Sequence, residues 1–296
     1  MNFNFGEHYY AGSSILTDLL VTIVGGIIGF GTALWFYYKR NQRDKAKELQ
    51  EVDSEFDDTL KYLKLLIDGV ITTIEKQNKN SIQFGEKVKA NPVEIEHLMV
   101  IASQDIDRLH SMDSSKVFLT YRHRFSGQHE WLKDFRDLYN HLDFIQGHLK
   151  ETVSIFKNYQ KGTYDQLMKF KAIVDNLPDV MSDTELEIKR TVADYKKDGR
   201  YIFLGDSIMK YRVLADNHAK MGDYNSRFLE PVLLETIKTY QMEFFGPRIM
   251  DMCKKARVVL NDIVTDSNNS ADLILNSPKL LENSKAYLVE FSKKIG

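Results

Sequence analysis

The sequence predicts an all-α protein: one N-terminal transmembrane helix, followed by a long amphipathic helix and a cytoplasmic multi-helix bundle. Three observations support this fold class. No charged residue lies between Leu19 and Tyr38, and about 20 apolar residues are enough for a helix to cross a bilayer. Apolar residues after this stretch recur every three or four positions, which is the helical period. The 296 residues include only 5 prolines and 16 glycines, so few positions break helices.

The apolar stretch is predicted to span the membrane from Ile15 to Tyr38 rather than to be a cleaved signal peptide. No Lys or Arg precedes it, and no small-x-small cleavage site separates it from the basic cluster that follows. A soluble core helix usually keeps one polar face, whereas this stretch is apolar on every side. The lipid bilayer is therefore its first predicted partner.

The residues that flank the span predict its orientation. Glu7 and Asp18 precede or open it without any basic residue, and a basic cluster follows it: Lys39, Arg40, Arg43, Lys45 and Lys47. Positive residues stay on the cytoplasmic side, so we expect the N-terminus outside and the rest of the chain in the cytoplasm. Aromatic residues stand at both ends of the span, where amphipathic rings prefer the interface.

One face of the span carries small and polar residues at spacings of four, three, four and three: Asp18, Thr22, Gly25, Gly29 and Thr32. Glycines four apart let two helix backbones approach closely in lipid, which favours a homo-oligomer. In one interpretation Asp18 stands at the mouth of a pore and the other residues line its wall. In the other, Asp18 lies among the headgroups and the glycines only pair the helices.

The predicted domains are an extracytoplasmic tail (1–14), the span (15–38), a juxtamembrane stalk helix (39–76) and a cytoplasmic helical domain (77–296). In the stalk, apolar residues recur at helical spacing: Leu49, Val52, Phe56, Leu60, Leu63, Ile67, Val70 and Ile74. This pattern fits a coiled-coil stalk or a helix packed on its own domain, and it does not choose between them.

Helix signals divide the cytoplasmic domain. Asn91-Pro92 predicts a helix over 92–111, the stretch 116–125 fits helix or strand, and a strong helical period runs from Gly127 to Lys161. Pro178 should end the next helix, and a capping box from Ser182 to Glu185 should begin another over 183–197. A helix is expected over 203–220, and the next should be capped by Asn225 or Ser226 with Pro231 in its first turn. Two further helices are expected, one from Gly246-Pro247 to about 266 and a last one that begins at Ser277-Pro278.

Composition and motifs give no support for an enzyme, a metal site or a cofactor. The 40 basic and 42 acidic residues balance, which removes a global electrostatic case for nucleic-acid binding, and Cys253 is the only cysteine. His141 and His148 are seven apart, too far to chelate one ion together, so they are expected to be surface or interfacial. Phosphate-binding glycine loops and nucleophile motifs are absent from the sequence. Asp179 with Glu187 and Lys189 imitates a metal nuclease, but that chemistry needs adjacent strands.

Two basic-aromatic stretches are candidate ligand sites, for which the predicted binding residues are Arg122, His123, Arg124, Lys196, Lys197 and Arg200. Arginine forks onto phosphates and aromatic rings stack on bases, so a nucleotide or a short single-stranded oligonucleotide fits this mixture. The alternative is a solvated helical face with buried rings. A partner protein is the other predicted source of control.

The layout, with its N-terminal span, small-residue face and helical cytoplasmic part, resembles the single-span membrane effectors of bacterial anti-phage systems, for example the membrane component of Hailong-type systems. The resemblance implies a bacterial inner-membrane protein that forms an oligomeric ion-conducting channel under a nucleotide-type signal. A membrane-anchored interaction scaffold without channel activity is the alternative. A membrane-bound hydrolase ranks third.

Overall fold

A computed structural model describes the backbone of residues 14–296 and the side chains of residues 18–296. The predicted tail lies outside these residues, apart from its last position. Every regular element described is helical and none is a strand, which confirms the all-α class. The helices are α1 (Ser14–Ala90), α2 (Gln104–Ser111), α3 (Ser114–Phe125), α4 (Trp131–Thr191), α5 (Gly199–Asp216), α6 (Met221–Tyr224), α7 (Glu230–Thr239) and α8 (Gly246–Ile295). A 3₁₀ turn covers Tyr195–Lys197, and a π turn covers Asn225–Leu229.

The chain divides into two compact units, and the division falls within α1, after Tyr62. In the first unit every side chain from Asp18 to Glu55 is exposed. Its apolar part is long and apolar enough to cross a membrane, and no other helix described meets that test. None of this apolar window is buried, unlike the core helix of a soluble protein. The predicted apolar helix is thus confirmed, while its place in a membrane stays a prediction.

The second unit, residues 63–296, is built on three long helices. The second half of α1 pairs with α8, through Lys89 with Asp272 at 2.5 Å and Glu75 with Lys285 at 2.7 Å. As the α1 numbers fall the α8 numbers rise, so these helices run antiparallel. Gly85 lies against Leu275, whose Cγ would be only 2.3 Å from a Cβ added to the glycine. Within this unit the apolar face of α1 packs on its own domain, because Leu63, Ile67, Val70 and Ile74 are buried.

Two buried clusters show where the core of this unit lies. Near the end of α1, Phe84 meets Phe156 and Tyr159 of α4 edge-to-face, with ring centroids 5.6 and 5.4 Å apart. A second cluster joins the C-terminal half of α4 to α5, the π turn, α7 and the start of α8. α4 and α8 run antiparallel, since His141 meets Ser284 and His148 meets Ser277, and both helices contribute residues to both clusters.

The helix predicted over 92–111 is wrong at its start, because regular helix resumes only at Gln104. Distant side chains satisfy the backbone of the preceding segment. The Tyr159 hydroxyl donates to the Glu94 carbonyl and accepts from the Glu96 amide, both at 3.1 Å. Gln77 Oε1 accepts from the Ile101 amide at 2.9 Å. With these partners the segment does not need helical hydrogen bonds.

The breaks predicted inside α4 and α8 are also wrong. Pro178 and Pro278 lie within continuous helices, although an interior proline costs about 3 kcal/mol of helix stability. Pro178 is itself buried, beside Leu177. The burial of these apolar side chains offsets the loss of helix stability that the proline causes. The proposed capping box at Ser182 therefore sits inside α4, where Thr184 donates back to the Val180 carbonyl at 2.8 Å. Local sequence signals predicted helix ends at these positions, but packing against other helices keeps α4 and α8 continuous.

Two other expectations are resolved by caps. The stretch 116–125 is helical, as α3, and Asp113 caps it by accepting from the amides of Ser115 at 2.9 Å and Lys116 at 3.2 Å. The helix expected over 203–220 ends earlier, at Asp216. His218 adopts a left-handed φ of 48°, and the next amide, of Ala219, donates to the Leu214 carbonyl at 2.9 Å, which closes a Schellman motif.

The starts of the last two helices follow the sequence signals in part. Pro231 occupies the first turn of α7, as predicted, but the π turn runs directly into α7 and no capping side chain is used. Gly246-Pro247 begins α8 as predicted. A Cβ at Gly246 would lie 2.1 Å from the Tyr240 carbonyl oxygen, so only glycine fits there.

Candidate functional site

The predicted small-residue face lies on the exposed part of α1. At 100° per residue, its five positions fall within an arc of about 80°. The positions are Asp18, Thr22, Gly25, Gly29 and Thr32, and all five are exposed. The rest of the helix surface at this level is Leu, Val, Ile and Phe together with Gly26 and Gly31, with exposed fractions such as 57% for Leu20 and 67% for Ile27. The helix thus has one polar stripe on an apolar cylinder.

The glycines of this face have no packing role within a single chain. A Cβ added at Gly25 or Gly29 would meet nothing within 4 Å. In contrast, Gly85 and Gly246 lie against neighbours that a Cβ would strike. Since glycine weakens a helix interior by about 0.5–1 kcal/mol relative to alanine, these two glycines lower helix stability without an intrachain gain.

The threonine hydroxyls of the face are satisfied by their own helix. Thr22 donates to the Asp18 carbonyl at 2.7 Å, and Thr32 donates to the Ile28 carbonyl at 2.8 Å. Such back-bonding lets a hydroxyl face an apolar environment without a second partner. The oxygen atoms still have acceptor capacity, so the same side chains also suit a wet surface.

Aromatic and basic residues mark the end of the apolar stretch. Trp35 and Phe36 meet edge-to-face with ring centroids 5.0 Å apart, and the Lys39 ammonium lies 4.7 Å from the Trp35 ring centroid. Arg40 pairs with Asp44 at 3.7 Å on the next turn. An amphipathic ring beside a cation is the arrangement expected at a membrane–water interface.

Comparison with protein-family models, curated proteins and solved structures gives no match to this chain. The resemblance to Hailong-type membrane components therefore stays a prediction.

The first basic-aromatic stretch forms α3, and the structure separates its rings from its charges. Arg122, His123 and Arg124 are exposed, whereas Tyr121 and Phe125 are buried. Tyr121 stacks on Phe291 of α8 with ring centroids 5.5 Å apart. These rings belong to the core and have no free face for a base. This arrangement fits the alternative of a solvated basic face over buried rings.

In the second stretch, two of the three predicted binding residues are already paired. Lys197 contacts Asp194 at 2.9 Å. Arg200 contacts Asp198 at 2.6 Å and Glu243 at 3.2 Å, and the hydrogen bonds from Arg200 lower the pKa of Asp198 to about 2. Its guanidinium charge is therefore compensated. Lys196 is exposed on the same turn.

The structure does not bring the two stretches together. α3 packs near the end of α8, through Tyr121 and Phe291, while the second stretch packs near its start, where the Tyr240 hydroxyl donates to the Gly199 carbonyl at 3.0 Å. The 50 residues of α8 extend about 75 Å at 1.5 Å per residue. A single small ligand cannot contact both stretches.

The two histidines of α4 lie in the α4–α8 interface. His141 Nδ1 is 2.9 Å from Ser284 Oγ, and His148 Nε2 is 2.8 Å from Ser277 Oγ, with Glu151 3.7 Å from the other nitrogen of His148. The order Ser–His–Glu imitates a hydrolytic triad. However, Ser277 is only 4% exposed between two helices, so a substrate cannot reach its hydroxyl. The residues described contain no group of three or more metal-binding side chains.

Proposed function

We propose that this protein is a single-pass membrane protein whose copies associate through the small-residue face of α1 and form an ion-conducting pore controlled by the helical bundle. The observation that carries this proposal is the polar stripe itself. It is fully exposed in the single chain, on a helix segment that is otherwise apolar on every side.

Length and flanking charge support the membrane position. The residues from Asp18 to Tyr38 measure about 30 Å as a helix, which equals the hydrocarbon thickness of a bilayer. The basic cluster that follows favours the cytoplasm for the bundle. A reporter that is active only in the periplasm, fused to Gly296, should stay inactive. An active fusion would reverse this topology.

Association is supported by Gly25 and Gly29. In lipid the hydrophobic effect does not drive helices together, so close packing over small residues is the main source of association. Two glycines that no intrachain neighbour requires fit such a crossing. A ring of helices would then place several copies of Asp18 near one axis, where carboxylates attract cations.

A tethered interaction scaffold is the second candidate, and one observation favours it. The hydroxyls of Thr22 and Thr32 already donate within the helix, so these two side chains do not need water as an acceptor. The span would then act as an anchor, and the bundle would act as a docking surface. This candidate requires no current through the assembly.

Single-channel recording in planar bilayers separates the two candidates. We expect a cation current from the purified oligomer, reduced several-fold in Asp18→Asn with assembly unchanged. Asp44→Asn is the matched control, because it removes an exposed carboxylate beyond the apolar stretch and should leave the current unaltered. An oligomer that carries no current would favour the tethered scaffold over the pore. A protein that is monomeric in detergent would exclude the pore.

A further inference from the structure

A cleft in the second unit has the composition of a ligand site that none of the sequence motifs predicts. Its volume is about 650 Å³, which lies within the range of roughly 300–1,000 Å³ that is usual for small-molecule sites. Its floor is α4, one wall is the end of α5 with α6, and Ile95 of the segment after α1 closes one side. The cleft lies within one unit, so a single chain contains it entirely.

Aromatic and thioether side chains make most of this surface. Tyr211 and Tyr224 tilt towards each other at 50° with ring centroids 6.0 Å apart. Tyr164 and Met168 stand on the α4 floor with 56% and 50% of their surface exposed. Tyr211 and Tyr224 are half-buried, so the cleft combines one exposed ring with two partly covered ones.

A carboxylate lies directly beside the rings. Asp175 accepts a hydrogen bond from the Tyr211 hydroxyl at 2.8 Å through Oδ1, and no described residue donates to its Oδ2. Burial raises the pKa of Tyr211 and of Tyr224, and the charge of Asp175 raises both further. Asp175 thus places a negative charge beside the Tyr211 hydroxyl. Lys171 and His218 also line the cleft.

An ion pair joins two segments that each contribute residues to the cleft lining. Lys220, between α5 and α6, contacts Glu94 at 2.5 Å, and Glu94 precedes the lining residue Ile95. Tyr159 holds the same segment through the Glu94 carbonyl.

We propose that the cleft binds a small organic cation, either a quaternary ammonium or a protonated amine. The faces of the tyrosine rings attract a cation, and Asp175 supplies the opposite charge. An anionic ligand would meet the Asp175 carboxylate, and an uncharged apolar ligand would gain nothing from it. The proposal does not depend on the pore, because the second unit contains every residue that it uses.

Calorimetry on the full chain in a maltoside detergent tests this inference with a matched pair of ligands. Choline and its uncharged isostere 3,3-dimethylbutan-1-ol have nearly the same shape, so their difference reports the charge. We expect choline to bind at least tenfold more tightly. Equal affinity for both, or no heat from choline and tetramethylammonium, would overturn the proposal.

Variants locate the binding. Tyr211→Phe keeps the ring and releases Asp175, so choline affinity should stay within about threefold. Tyr211→Leu and Asp175→Asn should each weaken choline by tenfold or more. Asp262→Asn removes an exposed carboxylate of α8 and should change nothing. Unchanged melting temperatures would show that each variant is folded, and undiminished binding by folded Asp175→Asn would contradict the assignment.

Discussion

One helix, α1, contains two stretches with opposite surroundings. From Asp18 to Glu55 every side chain is exposed, whereas Leu63 and Ile67, on the same helix, are 1% and 0% exposed. From Leu19 to Tyr38 the first stretch is apolar apart from the small-residue face, whereas the second stretch is apolar on one face only. The comparison teaches that the distribution of apolar residues around a helix, rather than helix formation, decides which solvent the helix meets.

The largest test compares a core leucine with an exposed one. Leu142→Ala should lower the free energy of unfolding of the bundle by about 3 kcal/mol, because Leu142 is fully buried in α4. Leu20→Ala, at a position that is 57% exposed in the first unit, should change the free energy of unfolding by no more than about 0.5 kcal/mol. Chemical denaturation followed by circular dichroism measures both. Equal losses would remove the distinction between the stretches.

A glycine pair sharpens the comparison. Gly85→Leu should lower the free energy of unfolding by about 2 kcal/mol, because its side chain would overlap Leu275, and should leave assembly unchanged. Gly29→Leu should do the reverse, reducing the yield of cross-linked oligomers in membranes without changing the melting temperature. Unaltered cross-linking in Gly29→Leu would mean that the glycine face is not the contact.

A smaller effect concerns the ion pairs of the second unit. Asp198 caps α5 by accepting from the Arg200 amide at 2.8 Å and also binds the guanidinium, so Asp198→Ala should cost about 1 kcal/mol. Asp198→Asn keeps the capping oxygen and should cost about half as much.

The pH dependence of this loss follows from the lowered pKa of Asp198, about 2 against an ordinary value of 3.8. Its charge stabilises the fold fully above the unfolded value, and this contribution is lost as the pH falls towards 2. The difference between wild type and Asp198→Asn should therefore shrink between pH 5 and pH 2.5 in unfolding titrations. A constant difference would assign the effect to capping alone.

The smallest expected effect is a gain. His218 has a left-handed φ of 48° at the end of α5, where glycine is the usual residue. His218→Gly should raise the free energy of unfolding by about 0.5–1 kcal/mol. His218→Ala keeps a Cβ and should bring no such gain. Thermal melts of the two variants decide the point, and equal gains would place the cause in the imidazole rather than the backbone.

Features that depend only on residues close together in the chain were predictable from the sequence. The apolar helix, the periodic face from Asp18 to Thr32 and the Gly246-Pro247 start all depend on local pattern. The non-helical segment before α2 was not predictable, because Tyr159 satisfies its backbone from 63 and 65 positions away. The uninterrupted course of α4 and α8 through Pro178 and Pro278 likewise depends on burial against other helices.

The two candidate sites differ in how far apart their residues lie in the sequence. The small-residue face belongs to one helix, so spacing alone indicates it. The ring-lined cleft joins Asp175 to Tyr211, which is 36 positions away, and to Tyr224 on a further helix. Sequence carries no local signal for that juxtaposition. The basic-aromatic pattern instead predicted a ligand site on α3, whose rings Tyr121 and Phe125 are buried in the core.

The histidine–serine pairs between α4 and α8 specify how the two helices are aligned along their length. His141 and His148 are seven residues apart, and so are their partners Ser284 and Ser277. If one helix slid by a single turn, about 5.4 Å, both pairs would separate together and their polar atoms would face apolar side chains. Two long helices with an apolar seam could otherwise settle in several alignments of similar energy. Only one alignment pairs both histidines with both serines, so these contacts favour it over alignments that are shifted by a turn.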